Sequence, residues 1–362
     1  MAARIAFAGG GTLGSVTPLL AAAAAVRELE PAAEFLWIGT AGGPEAGLVA
    51  AAGIPFRAVS SGKLRRYLAW RNLTDLGRIV RGFCQCWRLF GRWRPDVLAS
   101  AGSFVAVPAV WAARLRGVPV HVHQMDIRPG LANRLTAPFA ASVSVAFESS
   151  LRDFASRRPV WTGNPVRAGL FTGSRTEARR LFHLEADLPT VLVMGGGTGA
   201  VSLNDLVRRA APALTAGCQV IHLTGRGKAE TPAALPARYH QLEFLAEDMR
   251  HAYAAADLVV TRAGMGALTE LAALGLPTAI VPMPDSHQEE NAAWFAARGA
   301  AVVWNEKGST AEGLAGAVLG LLRDAPRLEG LRSSLKRLNR ADAAQALARL
   351  ILASARGPGR PS

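Results

Sequence analysis

Two glycine-rich runs, each directly behind a short apolar stretch, constrain this chain more than any other feature. The first is Gly9-Gly10-Gly11-Thr12-Leu13-Gly14-Ser15 behind Arg4 to Ala8, and the second is Gly195-Gly196-Gly197-Thr198-Gly199-Ala200 behind Val191 to Met194. A strand that ends in glycines and opens a helix presents bare backbone N–H groups at the positive end of that helix, where phosphate is stabilised. One such run would equally suit a tight turn that binds nothing. Two in one chain predict two nucleotide-type domains facing a cleft, with two phosphorylated ligands. Neither run is followed by Gly-Lys-Ser/Thr, which removes the main support for ATP-dependent chemistry. Dinucleotide binding asks for an acid closing the second strand, about 20 residues on, whereas Glu34 to Gly39 carries its acid at the start.

At 362 residues, with 50% apolar and 19% charged residues, the chain has room for two domains with full cores. Apolar runs bounded by Gly, Pro or Asp predict strands at 4–8, 34–38, 96–99, 119–122 and 142–147. A second series follows at 189–194, 219–223, 257–261, 277–281 and 300–304, with helices between the strands. The fold class is therefore α/β, with two Rossmann-like parallel sheets. The hinge is expected near Thr162-Gly163-Asn164-Pro165. This divides the chain into an N-terminal domain (1–163), a C-terminal domain (164–335), a helix returning to the N-terminal domain (336–354) and a disordered Gly/Pro/Arg-rich tail (355–362). No uninterrupted apolar stretch is long enough to span a bilayer and no secretory leader is visible, so a cytoplasmic location is expected. Cys84, Cys86 and Cys218 are too few for a disulfide framework and have no partners for a zinc site; they read as reduced packing residues.

The net charge of +14 calls for an anionic partner. The charge concentrates between Lys63 and Arg94, where nine Lys or Arg stand against one acid, Asp75, among Tyr67, Trp70, Phe83, Trp87, Phe90 and Trp93. On a helical wheel Leu73, Leu76, Val80, Phe83, Trp87 and Phe90 share one side, and Arg71, Arg78, Arg81, Arg88 and Arg92 the other. Such a helix suits an anionic membrane surface; the alternative is a surface helix whose apolar face is core. No nucleic-acid-binding module is recognisable, and nucleic acid is not an expected partner.

A third signature follows the strand at 257–261. Arg262-Ala263-Gly264-Met265-Gly266-Ala267-Leu268-Thr269-Glu270 is again a glycine turn running into a helix. Its N–H groups suit a diphosphate, and Glu270 suits a ribose diol; otherwise Glu270 is a solvated acid favouring the helix dipole. Asp285 to Ala292 clusters amides and acids that suit sugar hydroxyls.

Taken in order, Gly10-Gly11-Thr12-x-Gly14-x-x-x-Pro18, Gly163-Asn164-Pro165-Val166-Arg167, Gly195-Gly196-x-x-Gly199-Ala200, Glu243-Phe244, Asp248-Met249, Arg262 to Glu270 and Gln288-x-x-Asn291-Ala292 resemble the MurG family. These are peripheral-membrane N-acetylglucosaminyltransferases that convert lipid I to lipid II in peptidoglycan synthesis, and through it serve cell-wall biogenesis, cell shape and division. The resemblance spans nearly the whole chain. It implies an inverting, UDP-GlcNAc-dependent GT-B enzyme with no bound catalytic metal or resident cofactor, on the cytoplasmic face of the plasma membrane. It further implies that Glu270 holds the ribose, Leu245 lies at the uracil, and Thr198 with Met265, Gly266, Ala267, Leu268 and Thr269 holds the diphosphate. Gln288 and Asn291 would read the GlcNAc hydroxyls, and Arg167 would neutralise phosphate near the hinge. The undecaprenyl-diphosphate acceptor would meet the first glycine run at Thr12, Leu13 and Gly14, with the Lys63 to Arg94 segment docking on the membrane.

Two departures from the family pattern touch the chemistry. The family's first loop reads Gly-Gly-Thr-Gly-Gly-His, and here Leu13 and Ser15 replace its fourth residue and its histidine. The family's His-Glu-Gln-Asn is here His123-Gln124-Met125-Asp126. Serine is a poor general base at neutral pH, and a carboxylate is a good one in inverting sugar transfer. Asp126 is therefore the preferred base, ahead of His123 and Ser15. His123 has an alternative as a core histidine closing its strand. Two other functions remain open: transfer to a different lipid, such as diacylglycerol, and sugar-nucleotide binding without catalysis.

Overall fold

The computed structural model describes residues 2–62, 70–197, 199–229 and 235–356, without the side chains of residues 70–74. The chain forms two compact units, Met1–Arg167 together with the segment from Arg340 onward, and Ala168–Asn339.

In the first unit β1 (Arg4–Ala8), β2 (Glu34–Gly39), β3 (Phe56–Ala58), β4 (Val97–Ser100), β5 (Val120–Gln124), β6 (Ser142–Val145) and β7 (Val160–Trp161) form a parallel sheet, ordered β3-β2-β1-β4-β5-β6-β7. The crossovers carry α1 (Thr17–Leu29), α2 (Glu45–Ala51), α3 (Trp70–Trp93), α4 (Ala106–Leu115) and α5 (Leu131–Thr136). Helices on both faces bury the strands on both sides, so Ile5 to Ala8 or Val97 to Ala99 read as unbroken apolar runs rather than as alternation. Pro18 sits in the first turn of α1, where its missing N–H is no loss.

The second unit repeats the plan. Strands β8 (Thr190–Met194), β9 (Gln219–Leu223), β10 (Tyr239–Leu242), β11 (Leu258–Thr261), β12 (Thr278–Ile280) and β13 (Val302–Val303) are ordered β10-β9-β8-β11-β12-β13. The helices are α6 (Arg175–Phe182), α7 (Val201–Leu214), α8 (Met249–Ala255), α9 (Met265–Leu274), α10 (Gln288–Ala296), α11 (Ala311–Arg323) and α12 (Ala325–Leu338). From Arg340 the chain belongs to the first unit again, where α13 (Ala343–Arg356) packs on α1 and beside β4 and β5 with Leu347 and Ile351 fully buried. Ala355 and Arg356 are the end of this helix rather than the start of a tail, and residues 357–362 lie outside the described residues.

The three strands that apolar runs do not reveal, β3, β7 and β10, are all edge strands. An edge strand has one neighbour and tolerates exposed positions, as at Val160 and Trp161, so it needs no continuous apolar run.

Helix α3 divides its apolar residues. Ile79, Cys86 and Phe90 face the core, with Phe83 and Trp87 packed partly against it. Phe90 is thus core, not part of an open apolar face, while Leu76 and Val80 are exposed. Residues 63–69, and the side chains of Trp70, Arg71 and Leu73, lie outside what is described. Cys86 and Cys218 are buried packing residues whose thiols burial pushes up to about 12, whereas Cys84 is exposed and does not pack inside.

In both sheets the order reverses once, beside β1 in the first and beside β8 in the second. Ligands of open parallel sheets bind past the carboxyl ends of the strands at this reversal. The loops placed there follow β1 and β4 in one unit, and β8 and β11 in the other.

Candidate functional site

In the first unit the loop after β1 is gripped residue by residue. The Trp37 indole donates to the Gly9 carbonyl (2.9 Å), and the Ser103 hydroxyl donates to the Gly10 carbonyl (2.8 Å). The Gly11 N–H donates to Glu45 (3.2 Å), whose other carboxylate oxygen accepts from the Thr40 N–H (2.7 Å) and hydroxyl (2.6 Å). Gly11 has φ +78°, and a Cβ there would lie 2.4 Å from the Phe104 ring. The N–H groups of Val16 and Thr17 return to the Leu13 carbonyl. Those of Thr12, Leu13, Gly14 and Ser15 make no hydrogen bond among the described residues, and they lead into the positive end of α1. Ser15 itself is 7% exposed, and its buried hydroxyl has no hydrogen-bond partner among the described residues. Ser15 is therefore corrected as a catalytic candidate, because its side chain is turned inward and buried.

The end of β5 lies beside this loop, since a side chain at Gly14 would touch the Met125 methyl (3.8 Å). Asp126 follows, half-buried, and its carbonyl accepts from the Gln124 amide (2.7 Å), which also bonds the Arg128 carbonyl (3.1 Å). His123 is a different matter. It is fully buried, with Nδ1 on the Ser144 hydroxyl (2.8 Å) and Nε2 on Asn164 Oδ1 (3.1 Å). Ser144 also bonds His121 Nε2 (2.8 Å), and His121 Nδ1 bonds Ser142 (2.7 Å). An amide oxygen only accepts, so His123 Nε2 carries the proton; Ser144 then donates to His123 Nδ1 and accepts from His121 Nε2. His123 is corrected as a catalytic candidate, because both ring nitrogens are committed and burial pulls its pKa down to about 4. The same bond ties Asn164 to the first unit, which runs on to Arg167, itself half-buried.

In the second unit Thr198 lies outside the described residues. Around it, Gly199 has φ +70° and comes so close to Thr224 that a Cβ would sit 2.1 Å from the carbonyl oxygen, while Lys228 donates to the Gly199 carbonyl (3.2 Å). After β11 the buried Arg262 donates to the carbonyls of Val281 and Pro282 (both 3.1 Å) and to Ser202 (2.8 Å), and pairs with Glu306 (2.8 Å). Burial alone would raise the Glu306 carboxyl; hydrogen bonds from Arg262 and Ser202 and the Arg262 charge hold it below its ordinary value.

Ala263 is held at both ends. Gln288 Oε1 accepts from its N–H (3.2 Å) and from the Met283 N–H (3.1 Å), and Asn291 Nδ2 donates to its carbonyl (3.1 Å). Asn291 is 1% exposed. It is corrected from a sugar contact to a residue that shapes the turn in front of α9.

That turn leaves Gly264 at the N-cap with no side-chain cap, so the N–H groups of Met265, Gly266 and Ala267 open α9 unbonded among the described residues. Leu268 and Thr269 are corrected as diphosphate contacts. The Leu268 N–H bonds Gly264 and its side chain is fully buried, and the Thr269 hydroxyl turns back to Met265 (2.8 Å) and Gly266 (3.1 Å). The Met265 side chain is buried too, which leaves it only its N–H. Glu270, 8% exposed, accepts from the Tyr253 hydroxyl (2.9 Å), which orients the carboxylate. Leu245 is half-buried in the segment after β10.

Residues 5–145 match the glycosyltransferase family 28 N-terminal domain, and residues 190–347 match the family 28 C-terminal domain. The UDP-N-acetylglucosamine–N-acetylmuramyl-(pentapeptide) pyrophosphoryl-undecaprenol N-acetylglucosamine transferase of Lachnoclostridium phytofermentans is 40% identical over 77% of this chain and 78% of its own length. The enzyme of that name from Shouchella clausii is 39% identical over 86% of this chain and 88% of its own. The chain belongs to the MurG family of glycosyltransferases. The crystal structure of MurG from Acinetobacter baumannii matches with a TM-score of 0.70 and 28% identity, covering 97% of this chain and 99% of that one. The two parallel-sheet units are those of a GT-B glycosyltransferase.

Several residues that set the geometry carry no sequence signature of their own. Glu45 reads as a solvated first-turn acid, Ser103 as a loop serine and Tyr253 as helix core. The histidine chain did leave a trace: His121-Val122-His123 on β5 lies in register with Ser142-Val143-Ser144 on β6, so two polar residues at alternate positions face two others.

Burial holds His121, His123 and His222 neutral, with pKa values near 3, 4 and 4. Unfolded, each titrates near 6.5. Below that pH the unfolded chain takes up protons that the native state refuses. Stability is therefore full above about 6.5 and falls with acidification, by about 1.4 kcal/mol per pH unit for each histidine until its native value is reached. Thermal unfolding at about pH 7 and about pH 5 checks this; the midpoint should drop, and an unchanged midpoint contradicts it.

Proposed function

We propose that this chain transfers N-acetylglucosamine from UDP-GlcNAc to an undecaprenyl-diphosphate-linked acceptor, the reaction its relatives are named for, with inversion at the anomeric carbon. The observation that carries the reading is the pair of helix openings at the sheet reversals. Each leaves its N–H groups unbonded among the described residues: Thr12 to Ser15 in one unit, Met265 to Ala267 in the other. The donor diphosphate would rest on the α9 opening and the acceptor diphosphate on the loop before α1. Glu270, oriented by Tyr253, would take the ribose diol, and Gln288, whose oxygen is committed to the backbone, would offer its amide nitrogen to the sugar. UDP-GlcNAc is a substrate here, and no resident cofactor or metal is invoked.

In the transfer step the acceptor hydroxyl oxygen attacks the anomeric carbon, the bond to UDP breaks, and its electron pair leaves on the diphosphate. The α9 opening stabilises that charge. With Ser15 buried and His123 committed, Asp126 is the residue left to take the hydroxyl proton. Asp126→Asn should lower kcat by about 100-fold or more, measured as UDP release with a short-chain lipid I analogue, while UDP-GlcNAc binding by titration survives. Turnover at the wild-type rate would exclude Asp126 as the base. Running the wild-type assay with lipid I analogue and with diacylglycerol tests the reaction itself. Release with diacylglycerol alone would reassign the acceptor, and binding without release would leave a sugar-nucleotide-binding protein.

Among the described residues no helix is long and apolar enough to cross a membrane. For peripheral docking the support is on α3 and the end of α4. Exposed Leu76, Val80 and Leu115 stand among the exposed Arg81, Arg88 and Arg116, with the Arg116 guanidinium over the Trp87 ring (4.0 Å to its centre). Arg78 is committed to the buried Asp75 (3.1 Å). Each arginine near an anionic surface contributes on the order of 1 kcal/mol. Arg81→Glu with Arg88→Glu should therefore weaken binding to phosphatidylserine vesicles by about tenfold or more at low salt. Unchanged vesicle sedimentation would remove the docking role.

A further inference from the structure

We propose that Ser103 and Glu45 are positioning residues for the acceptor, acting on one peptide group, the Gly10–Gly11 link of the first glycine loop. The inference rests on the acceptor reading of that loop. The carbonyl of this peptide is Gly10's and its N–H is Gly11's, and each end is held from a different side. Ser103, on the loop after β4, donates to the carbonyl (2.8 Å); Glu45, at the start of α2 beyond β2, accepts from the N–H (3.2 Å). β2 and β4 are the two sheet neighbours of β1, so the loop is clamped from both sides of its own strand.

The backbone at Ser103 shows how strongly this contact is maintained. Ser103 has φ +130°, in the region that favours glycine, directly after Gly102 at φ +81°. A residue with a side chain is strained there, and strain held in place by its surroundings gathers at functional sites. Glycine would remove the strain and also the hydroxyl. That hydroxyl has two partners, the Gly10 carbonyl and the Val105 N–H (3.3 Å). Next along the chain, Phe104 fills the space beside Gly11. Glu45 is completely buried, and its partners are the Gly11 N–H with the Thr40 N–H and hydroxyl.

The consequence is directional. With its N–H pointed at Glu45 and its carbonyl at Ser103, this peptide is held in one orientation, since a turned peptide would set its carbonyl oxygen against the Glu45 carboxylate and lose both hydrogen bonds. The unbonded N–H groups from Thr12 to Ser15 follow immediately, so their aim at an acceptor diphosphate depends on that one fixed plane.

The test uses the full chain with UDP-GlcNAc and a short-chain lipid I analogue, varying each substrate in turn and following UDP release. Ser103→Gly relieves strain but removes two hydrogen bonds, effects of opposite sign and comparable size, so it should stay folded and yet lose about tenfold in kcat/KM for the acceptor while UDP-GlcNAc binding stays within about twofold. A loss confined to the acceptor in a folded variant is an outcome a merely structural serine would not produce. Glu45→Gln should show the same acceptor-specific loss. The double variant should lose clearly less than the product of the two, since both act on one peptide. Wild-type acceptor kinetics in Ser103→Gly, or losses that multiply in the double variant, would overturn the clamp while leaving the transfer reaction standing. A wild-type chain that releases no UDP with the analogue would overturn the acceptor reading and this inference with it.

Discussion

Beside β1 and again beside β8 the order of strands reverses, and the structure depends on that reversal. The chain leaving one strand turns to one face of the sheet and the chain leaving its neighbour turns to the other, so nothing crosses the carboxyl ends between them and a crevice stays open. A helix starting at such a crevice has its first N–H groups unpaired and its positive end exposed. Backbone can come this close only where side chains are absent, which is why Gly11 stands against the Phe104 ring and Gly199 against the Thr224 carbonyl.

Openings of this kind bind well only if the backbone around them is held still. Here the holding is done by side chains that face inward. Glu45 and Ser103 fix the loop after β1, and Gln288, Asn291 and the buried Arg262–Glu306 pair fix the turn after β11. Hydrogen bonds and ion pairs are stronger when buried, and an unpaired polar group there is costly, so each arrangement has few alternatives. The groups nearest the ligands are then mostly backbone N–H, with Glu270, the Gln288 amide and Asp126 supplying side-chain chemistry in the reading proposed above.

Much of the fold was legible because its signals are local. The nine central strands were visible as apolar runs, since central parallel strands are buried on both faces; of the four edge strands only β13 was visible, while β3, β7 and β10, covered on fewer sides, were not. The glycine runs and the Arg262 to Glu270 turn were visible for a similar reason, as the conformation and the close approach are demanded at single positions. Individual site residues were legible only in part. The Met265 to Ala267 N–H groups open α9 and Glu270 is held by Tyr253, whereas Thr269 and Leu268 on the same helix turn back into it. A helix rotates successive residues by about 100°, so adjacent letters in one motif end on different faces.

By itself, then, the sequence determined two parallel-sheet units, the glycine loops that open their helices, and the family to which the chain belongs, because apolar continuity and glycine act over a few neighbouring residues. Only the tertiary structure decided which polar side chains are turned inward. Ser15, His123 and Asn291 would read the same in either role. His123 is fixed by Ser144 on β6 and by Asn164, and Asn291 by the Ala263 turn, partners that are distant in the chain and become neighbours only when the sheets assemble.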